Sequence, residues 1–483
     1  MKTVLVWVLL SSIAPAALAE TITVRAGGDL QSALDRAKAG DTIELEPRAT
    51  FVGHFTLPAK DGAAMTTIRT ATRGDAPRAA RLSPAEAATF AKLQTPDNLA
   101  AVQTAPGAHH WRITLVEVLG AGDGDLVGLG DGRPQTSPSQ VPHDLVVDRV
   151  YMHGDPALGR RRGISLNSAS TTITNSYISD IKAIARDAQA ICGWNGPGPF
   201  VITNNYLEAS SENILFGGAD PSIANLVPAD ITITGNTLAK PERWRQERWE
   251  IKNLLELKNA RRVVIRDNTL EYNWLQAQTG FAVLFTVRNQ DGGCPWCEIS
   301  DVLFENNLVR HSGGGVSFLG VDNNHPSKQV RGIVIRNNVF TDIDNQHWGG
   351  SGYAFLITGG PRDITIDHNT IVQEHGAGFI QVDGPQIPGF VFTNNIVSHN
   401  VYGIAGTSRA PGKDALNAFF PNAQFSGNVI ADGDPSRLPP GNQFPSSQEL
   451  CAHMMSCATH DYRLKPDAKW RGAGAADRQA PAN

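Results

Sequence analysis

The chain has 483 residues, a formal net charge of −5, 47 glycines, 29 prolines and 7% aromatic residues. This turn-rich, mildly acidic composition excludes collagen-like and disordered classes, and it supplies no global basic field for nucleic acid. The length suits two or three average domains, but a repeat architecture absorbs it as one.

The opening segment has a basic start, the apolar run "TVLVWVLLSSIAPAA", and Ala17-Leu18-Ala19 before Glu20. It reads as a secretory signal, residues 1–19, cleaved after Ala19, so the mature protein is expected to be secreted or periplasmic. The run is too short for a membrane span, and no later segment offers roughly 18 uninterrupted apolar residues. Residues 20–142 read as an N-terminal cap followed by irregular first coils. In "GGDLQSALDRAKAGDTIEL", Asp29 is an N-cap, Leu30, Ala33, Leu34 and Ala37 form one apolar helical face, and Gly40 ends the helix. Further on, "SPAEAATFAKLQ" predicts a second helix, and "GAGDGDLVGLGDG" predicts a solvated loop or a calcium loop.

Residues 143–435 carry a repeat of alternating β-branched residues, an Asn, and a second short strand. Instances are "FVITNNYLE", "VVIRDNTLE", "IVIRNNVFT" and "ITIDHNTIV". The aligned asparagines, Asn175, Asn205, Asn236, Asn268, Asn307, Asn338, Asn369, Asn395 and Asn428, recur about every 32 residues. That period is too long for a hexapeptide solenoid and lacks the helical pattern of ankyrin or tetratricopeptide repeats. It fits coils of three short strands, each strand pairing in parallel with its counterpart about 4.8 Å away on the next coil. The expected fold is all-β: a single-stranded right-handed parallel β-helix of three sheets and about 10 coils, closed at its N-terminus by a capping helix. The asparagines tolerate the left-handed conformation and bond to their stacked equivalents, which makes them scaffold. Residues 436–483 read as a tail folded over the far end.

After each Asn turn comes a third strand, such as "GISLNS", "NILFGG", "LLELKN", "AVLFTVRN" and "GVSFLGVD". Alternation sends Ile164, Leu166, Ile214, Phe216, Leu255, Leu257, Val283 and Phe285 into the core. It sends Glu256, Lys258, Thr286 and Arg288 outward, so the two charges in "LLELKN" are expected on an open sheet surface. Long connections after these strands should wall a groove, with Trp194, Trp244, Trp249, Trp274, Trp296 and Trp348 available to stack on sugar rings. Between Lys240 and Arg266 stand nine basic and four acidic residues, a patch expected to give the groove positive potential. A groove of this kind suits an acidic polysaccharide. Neither a phosphate loop nor a basic helix supports nucleic-acid binding, and a monomer is expected.

Cleaving a uronic-acid polymer by β-elimination needs a cation for the carboxylate, a base for the proton α to it, and an acid for the leaving oxygen. Lys258 beside Arg288 has its charged form disfavoured, which would free a neutral amine. The whole chain resembles the right-handed parallel β-helix of the pectate-lyase-like superfamily over roughly residues 140–435. Locally, "LKNARRVVIRDNT" and "LFTVRNQ" resemble the Lys- and Arg-bearing segments of β-helix polysaccharide lyases typified by chondroitinase B and the alginate lyases. The resemblance implies Lys258 as base, Arg288 as acid or carboxylate partner, and Glu256 beside them. It implies Ca²⁺ as a possible cofactor, held by Glu212 and Glu256, although the acidic residues do not stand at the familiar spacing. Substrate-binding candidates are Asn167, Trp194, Glu212, Asn289, His311, Asp322, His325 and Trp348. A glycoside hydrolase using the groove carboxylates and a non-catalytic carbohydrate-binding solenoid are the alternatives.

The close pairs Cys294/Cys297 and Cys451/Cys457 are placed to close small local loops, leaving Cys192 as a buried thiol. A redox role for "CPWC" would need a thioredoxin-like βαβ unit, and none surrounds it.

Overall fold

The computed structural model describes residues 19–71 and 81–476, so most of the signal segment lies outside the described residues. Among the described residues, parallel pairing begins at once. Thr21–Val24 pairs with Thr42–Leu45, and that ladder continues through 14 strands to Gln424–Ser426. The second and third sheets are also continuous parallel ladders, joined at one point where Arg160 pairs with Ile181. The solenoid is therefore longer than its clearest repeats, and starts near residue 21 rather than 143.

Two expectations for the first coils change with it. "GAGDGDLVGLGDG" contains the strand Gly122–Leu129, paired with Arg160–Leu166. "SPAEAATFAKLQ" gives only a 3₁₀ turn, Glu86–Thr89, before the strand Ala91–Gln94. The stacked neighbours on both sides outweigh local helix propensity there.

The capping helix is Leu30–Arg36, with Asp29 accepting from the Ser32 N–H at 2.9 Å. Leu30, Ala33, Leu34 and Ala37 are buried over the first coil. No helix among the described residues is long and apolar enough to cross a membrane.

The asparagine ladder divides its work between adjacent positions. Asn205, Asn236, Asn268, Asn307, Asn338, Asn369, Asn395 and Asn428 each pass a side-chain hydrogen bond to the next, ending on Asn442, at 2.9–3.1 Å. The left-handed residue is the one before: Asn204, Gly235, Asp267, Asn306, Asn337, His368, Asn394 and Gly427 all have positive φ. Asn175 belongs to this second set (φ 54°), and Ser176 takes the ladder place in its coil, donating its N–H to Asn205. Each ladder amide also closes a neighbouring carbonyl, so one deletion orphans several buried groups. Asn307→Ala is expected to cost about 2–4 kcal/mol in urea unfolding, because Ile265 O and the Asn268 N–H lose their partners.

Both disulfides form, Cys294–Cys297 and Cys451–Cys457, and Cys192 is a buried free thiol.

Candidate active site

Lys258 follows the third-sheet strand Asn253–Leu257, and Arg288 lies just beyond Phe281–Thr286 on the next coil. The two coils meet directly here: the Arg288 N–H donates to the Lys258 carbonyl at 3.0 Å. The expected inward rows are all buried, including Ile214, Leu255 and Val283. The expected open surface is not observed. Glu256 is only 2% exposed, and the Lys258 side chain 15%. Alternation tells which way a side chain points. It does not tell what the loops then lay over it.

At the start of the third-sheet strands a polar row crosses five coils in register: Asp125, Arg162, Gln189, Glu212 and Asn253. Arg162 donates to Asp125 at 3.1 Å and to Gln189 at 3.2 Å, and Gln189 passes a bond to Glu212 Oε2 at 2.9 Å. Asn253 Nδ2 donates to Glu256 Oε2 at 3.1 Å, and Thr286 donates to Glu256 Oε1 at 2.9 Å. Lys258 Nζ stands 3.7 Å from Glu256 Oε1, while Lys252 pairs with Asp187.

This cluster sets the ionisation of its members. Burial, then the charges of Glu256 and Asp187, push Glu212 up to about 7. Burial would lower the Lys258 ammonium, but Glu256 and Glu212 outweigh it, and its pKa lies above the ordinary lysine value. The expectation that Arg288 would free a neutral amine is therefore overturned. The charge of Arg288 is matched elsewhere: its guanidinium donates to Asp322 Oδ1 at 2.6 Å and also to Asn323. Burial would raise Asp322, yet N–H donors from Asn324 and Asn289, with Arg288, hold it below the usual carboxylate range. Asp322 is thus a positioning residue for Arg288.

Glu212 Oε1 and Asn253 Oδ1 are buried acceptors with no donor, on paired positions of neighbouring strands. Together with Glu256 they form an all-oxygen set suited to a hard divalent cation. Their chemistry fits Ca²⁺. A second acidic group, Asp342, Asp344 and Glu374, lies elsewhere, within 4.8 Å of one another. There His311 and Trp348 already contact Asp342, and His375 contacts Asp344, so its aspartates have partners.

The other predicted residues fall in different places. Asn167 is fully buried, and its Oδ1 accepts from the N–H groups of Trp194 and Asn195; it caps a loop. Asn289 does the same for Cys294. His311 and Trp348 sit at the second sheet, packed with Tyr272, so the structure does not bring them to Lys258. Trp244, Trp249, Trp274 and Trp348 form one buried cluster, which is wall packing. His325 is exposed and lies against Gly292.

Trp194 does face the groove on the third sheet. This cavity of about 1080 Å³ runs over Gly128, Ser165, Cys192 and Leu215 to Asp187 and Gly217. A Cβ on Gly217 (φ +106°) would meet Lys258 Cβ at 2.7 Å, so glycine lets the floor abut the lysine. The expected positive potential is absent. Asp123, Asp125 and Asp131 line the groove beside Arg161 and Arg162, and the basic stretch is spread over several faces. Arg243 reaches toward Asp180 and Glu208, Arg262 pairs with Asp230 on the first sheet, and Lys240 is buried.

Lys240 escaped sequence reasoning. Its Nζ donates to Ala209 O, Ser211 O, Asn213 Oδ1 and Asn253 O at 2.8–3.1 Å. It ties together the starts of the strands bearing Glu212 and Asn253. Burial pushes it down to about 7.

No protein-family model matches the chain, and no curated protein sequence does. Solved structures do. The PL6 family alginate lyase AlyGC superposes with a TM-score of 0.56 at 15% identity, covering 94% of this chain and 56% of that one. The catalytic unit of a GH87 α-1,3-glucanase from Streptomyces thermodiastaticus gives 0.55 at 13%, over 90% and 72%. A mannuronic acid specific polysaccharide family 6 lyase from human gut microbiota gives 0.50 at 10%, over 88% and 91%. The chain thus spans little more than half the length of the first. At these identities the likeness concerns the fold alone, and by fold this chain is a parallel β-helix.

Proposed function

We propose that the chain is an exported enzyme that cleaves a uronate-containing polysaccharide by β-elimination, with Lys258 as base and Arg288 as its cationic partner. One observation carries the reading: Lys258 and Arg288 stand on consecutive coils, the first set among carboxylates against Gly217 of the groove and the second held by Asp322. Lys258 takes the proton α to the sugar carboxylate. The electron pair of that C–H bond becomes the new C=C bond, and the glycosidic C–O bond breaks. The leaving oxygen takes up a proton from solvent water, and Arg288 offsets the negative charge that develops. Glu212, Glu256 and Asn253 are the residues that would hold Ca²⁺; when bound, it would neutralise the substrate carboxylate. The family-level reading of the structural neighbours as polysaccharide-active proteins supports this.

A pH dependence follows from the raised pKa of Lys258. Only the neutral amine can accept a proton, so kcat/KM should climb with pH through neutrality, by up to about tenfold per unit below that pKa. Glu256→Gln removes the largest charge that holds the proton on Lys258, and should shift this rising limb to lower pH. An unshifted limb in that variant would remove Lys258 from the base role.

Hydrolysis is the second reading, favoured by Glu212, raised to about 7 beside Glu256. A carboxyl group that keeps its proton near neutrality is what acid catalysis of hydrolysis requires. Incubating alginate, polygalacturonate, a glycosaminoglycan and a neutral glucan with the enzyme, with and without chelator, tests the proposal. Shortening of a uronate polymer, slowed by chelator, is expected; shortening of the neutral glucan alone would exclude it.

A further inference from the structure

A cluster of basic residues lies outside the groove, with Arg362 also paired to Asp363 at 2.9 Å. At the edge of the first sheet, Arg261, Ser300, Arg331 and Arg362 occupy one register position on four consecutive coils. With Lys328 and Trp296, the three arginines line a separate cavity of about 400 Å³. A neighbouring hollow of about 310 Å³ shares Asn225, Val227 and Arg261 with it, so the depression extends along the solenoid. Glu298 is the one acid in the lining. It accepts from Arg331 Nη2 at 3.3 Å and stands 3.7 Å from Arg261 Nη1. Arg261 Nε is buried without any acceptor.

The wall between this cavity and Lys258 is built from the loops after the third-sheet strands. Those loops carry Arg288 and Asp322 as well as Trp296 and Lys328, and of these four only Trp296 and Lys328 line the cavity. The Cys294–Cys297 disulfide closes the turn that carries Trp296, whose Nε1 donates to Leu226 O at 3.0 Å. "CPWC" therefore acts as a clamp that fixes an aromatic ring beside a row of arginines.

We infer that this first-sheet edge is a second binding site for an anionic polysaccharide, distinct from the Lys258 groove. The chemistry selects the ligand class. Arginines a coil or two apart, at about 4.8 Å per coil, match repeated carboxylates along a chain. Trp296 offers an apolar edge to a sugar ring. Glu298 accepts sugar hydroxyl protons, whereas a phosphodiester backbone presents it mainly with acceptors and like charge. The choice of a carboxylated polymer rests on the function proposed above; the existence of the site does not.

Native electrophoresis through gels containing polygalacturonate, alginate, heparin, duplex DNA or neutral dextran tests this. Retardation by a carboxylated polymer is expected for the wild type and equally for Lys258→Arg, because the site lies outside the groove. The double variant Arg331→Ser/Arg362→Ser should bind about tenfold more weakly, with an unchanged thermal midpoint showing an intact fold. Added salt should erase the difference. Equal retardation of wild type and double variant would overturn the inference. So would retardation by dextran to the same degree, by DNA alone, or only in chains with an intact Lys258. The Lys258→Arg lanes read binding without turnover, so their outcome does not depend on whether lyase products form.

Discussion

Lys258→Arg is expected to give a folded protein whose kcat on its polymer falls by about 10²- to 10⁴-fold. Arginine keeps the positive charge between Glu256 and Glu212, but it does not give up a proton in the working range. Lys258→Ala should lose turnover to the same extent and stability as well. It leaves Glu212 and Glu256 buried without the cation that faces them. The sign of the pH effect follows from Glu212. Raised to about 7, it keeps a proton in the folded state that the unfolded chain releases, so stability falls as pH rises from the ordinary carboxylate range through about 7. That fall should be steeper in Lys258→Ala than in wild type, and unchanged in Lys258→Arg. Urea titrations at several pH values separate the two variants. Full activity in Lys258→Arg would show that Lys258 and its carboxylates are a structural ion cluster.

The second large effect concerns Lys240. Four oxygens converge on its Nζ, and two of them, Ser211 O and Asn253 O, belong to the residues that introduce the Glu212 and Asn253 strands. Lys240→Met fills much of the space and removes the donor that all four oxygens share. The expected loss is about 3–5 kcal/mol in urea unfolding. Because the strand starts lose their tie, cation affinity should fall too, read as a smaller rise in thermal midpoint on adding Ca²⁺. A variant as stable as wild type would mean that the oxygens find water or other donors.

The chain wrote its scaffold plainly and its site poorly, for physical reasons. The ladder asparagines were legible because every coil repeats the same buried demand, yet the register was one residue off at Asn175. There Ser176 meets the same demand with a hydroxyl. The core rows followed from alternation. Alternation breaks, however, at the strand starts, where Leu254 and Leu255 are both buried and Glu212 escapes the parity of Ile214. This break hid Asn253 as a partner of the cluster. Burial of Glu256 depends on the loops laid over the third sheet, whose paths no periodicity encodes. The basic stretch looked like one patch because it is contiguous in sequence. The coil wraps it around a corner, so Lys258 abuts Gly217 of the groove while Arg261, three residues on, lines a separate cavity. His311 and Trp348, chosen for their chemistry, belong to a second-sheet cluster whose aromatic contacts account for them. Lys240 entered only as a member of the basic stretch, and nothing in the sequence marked it as buried.

Elimination at Lys258 and Arg288 is the reaction proposed for this protein on a uronate polymer. Counting new double bonds, by ultraviolet absorbance, against new reducing ends in one digest tests it most directly. Elimination predicts one unsaturated uronate for every new reducing end, in wild type and in none of the Lys258 variants. Reducing ends that accumulate without the absorbance would contradict it, and would assign the groove to hydrolysis by Glu212 and Glu256.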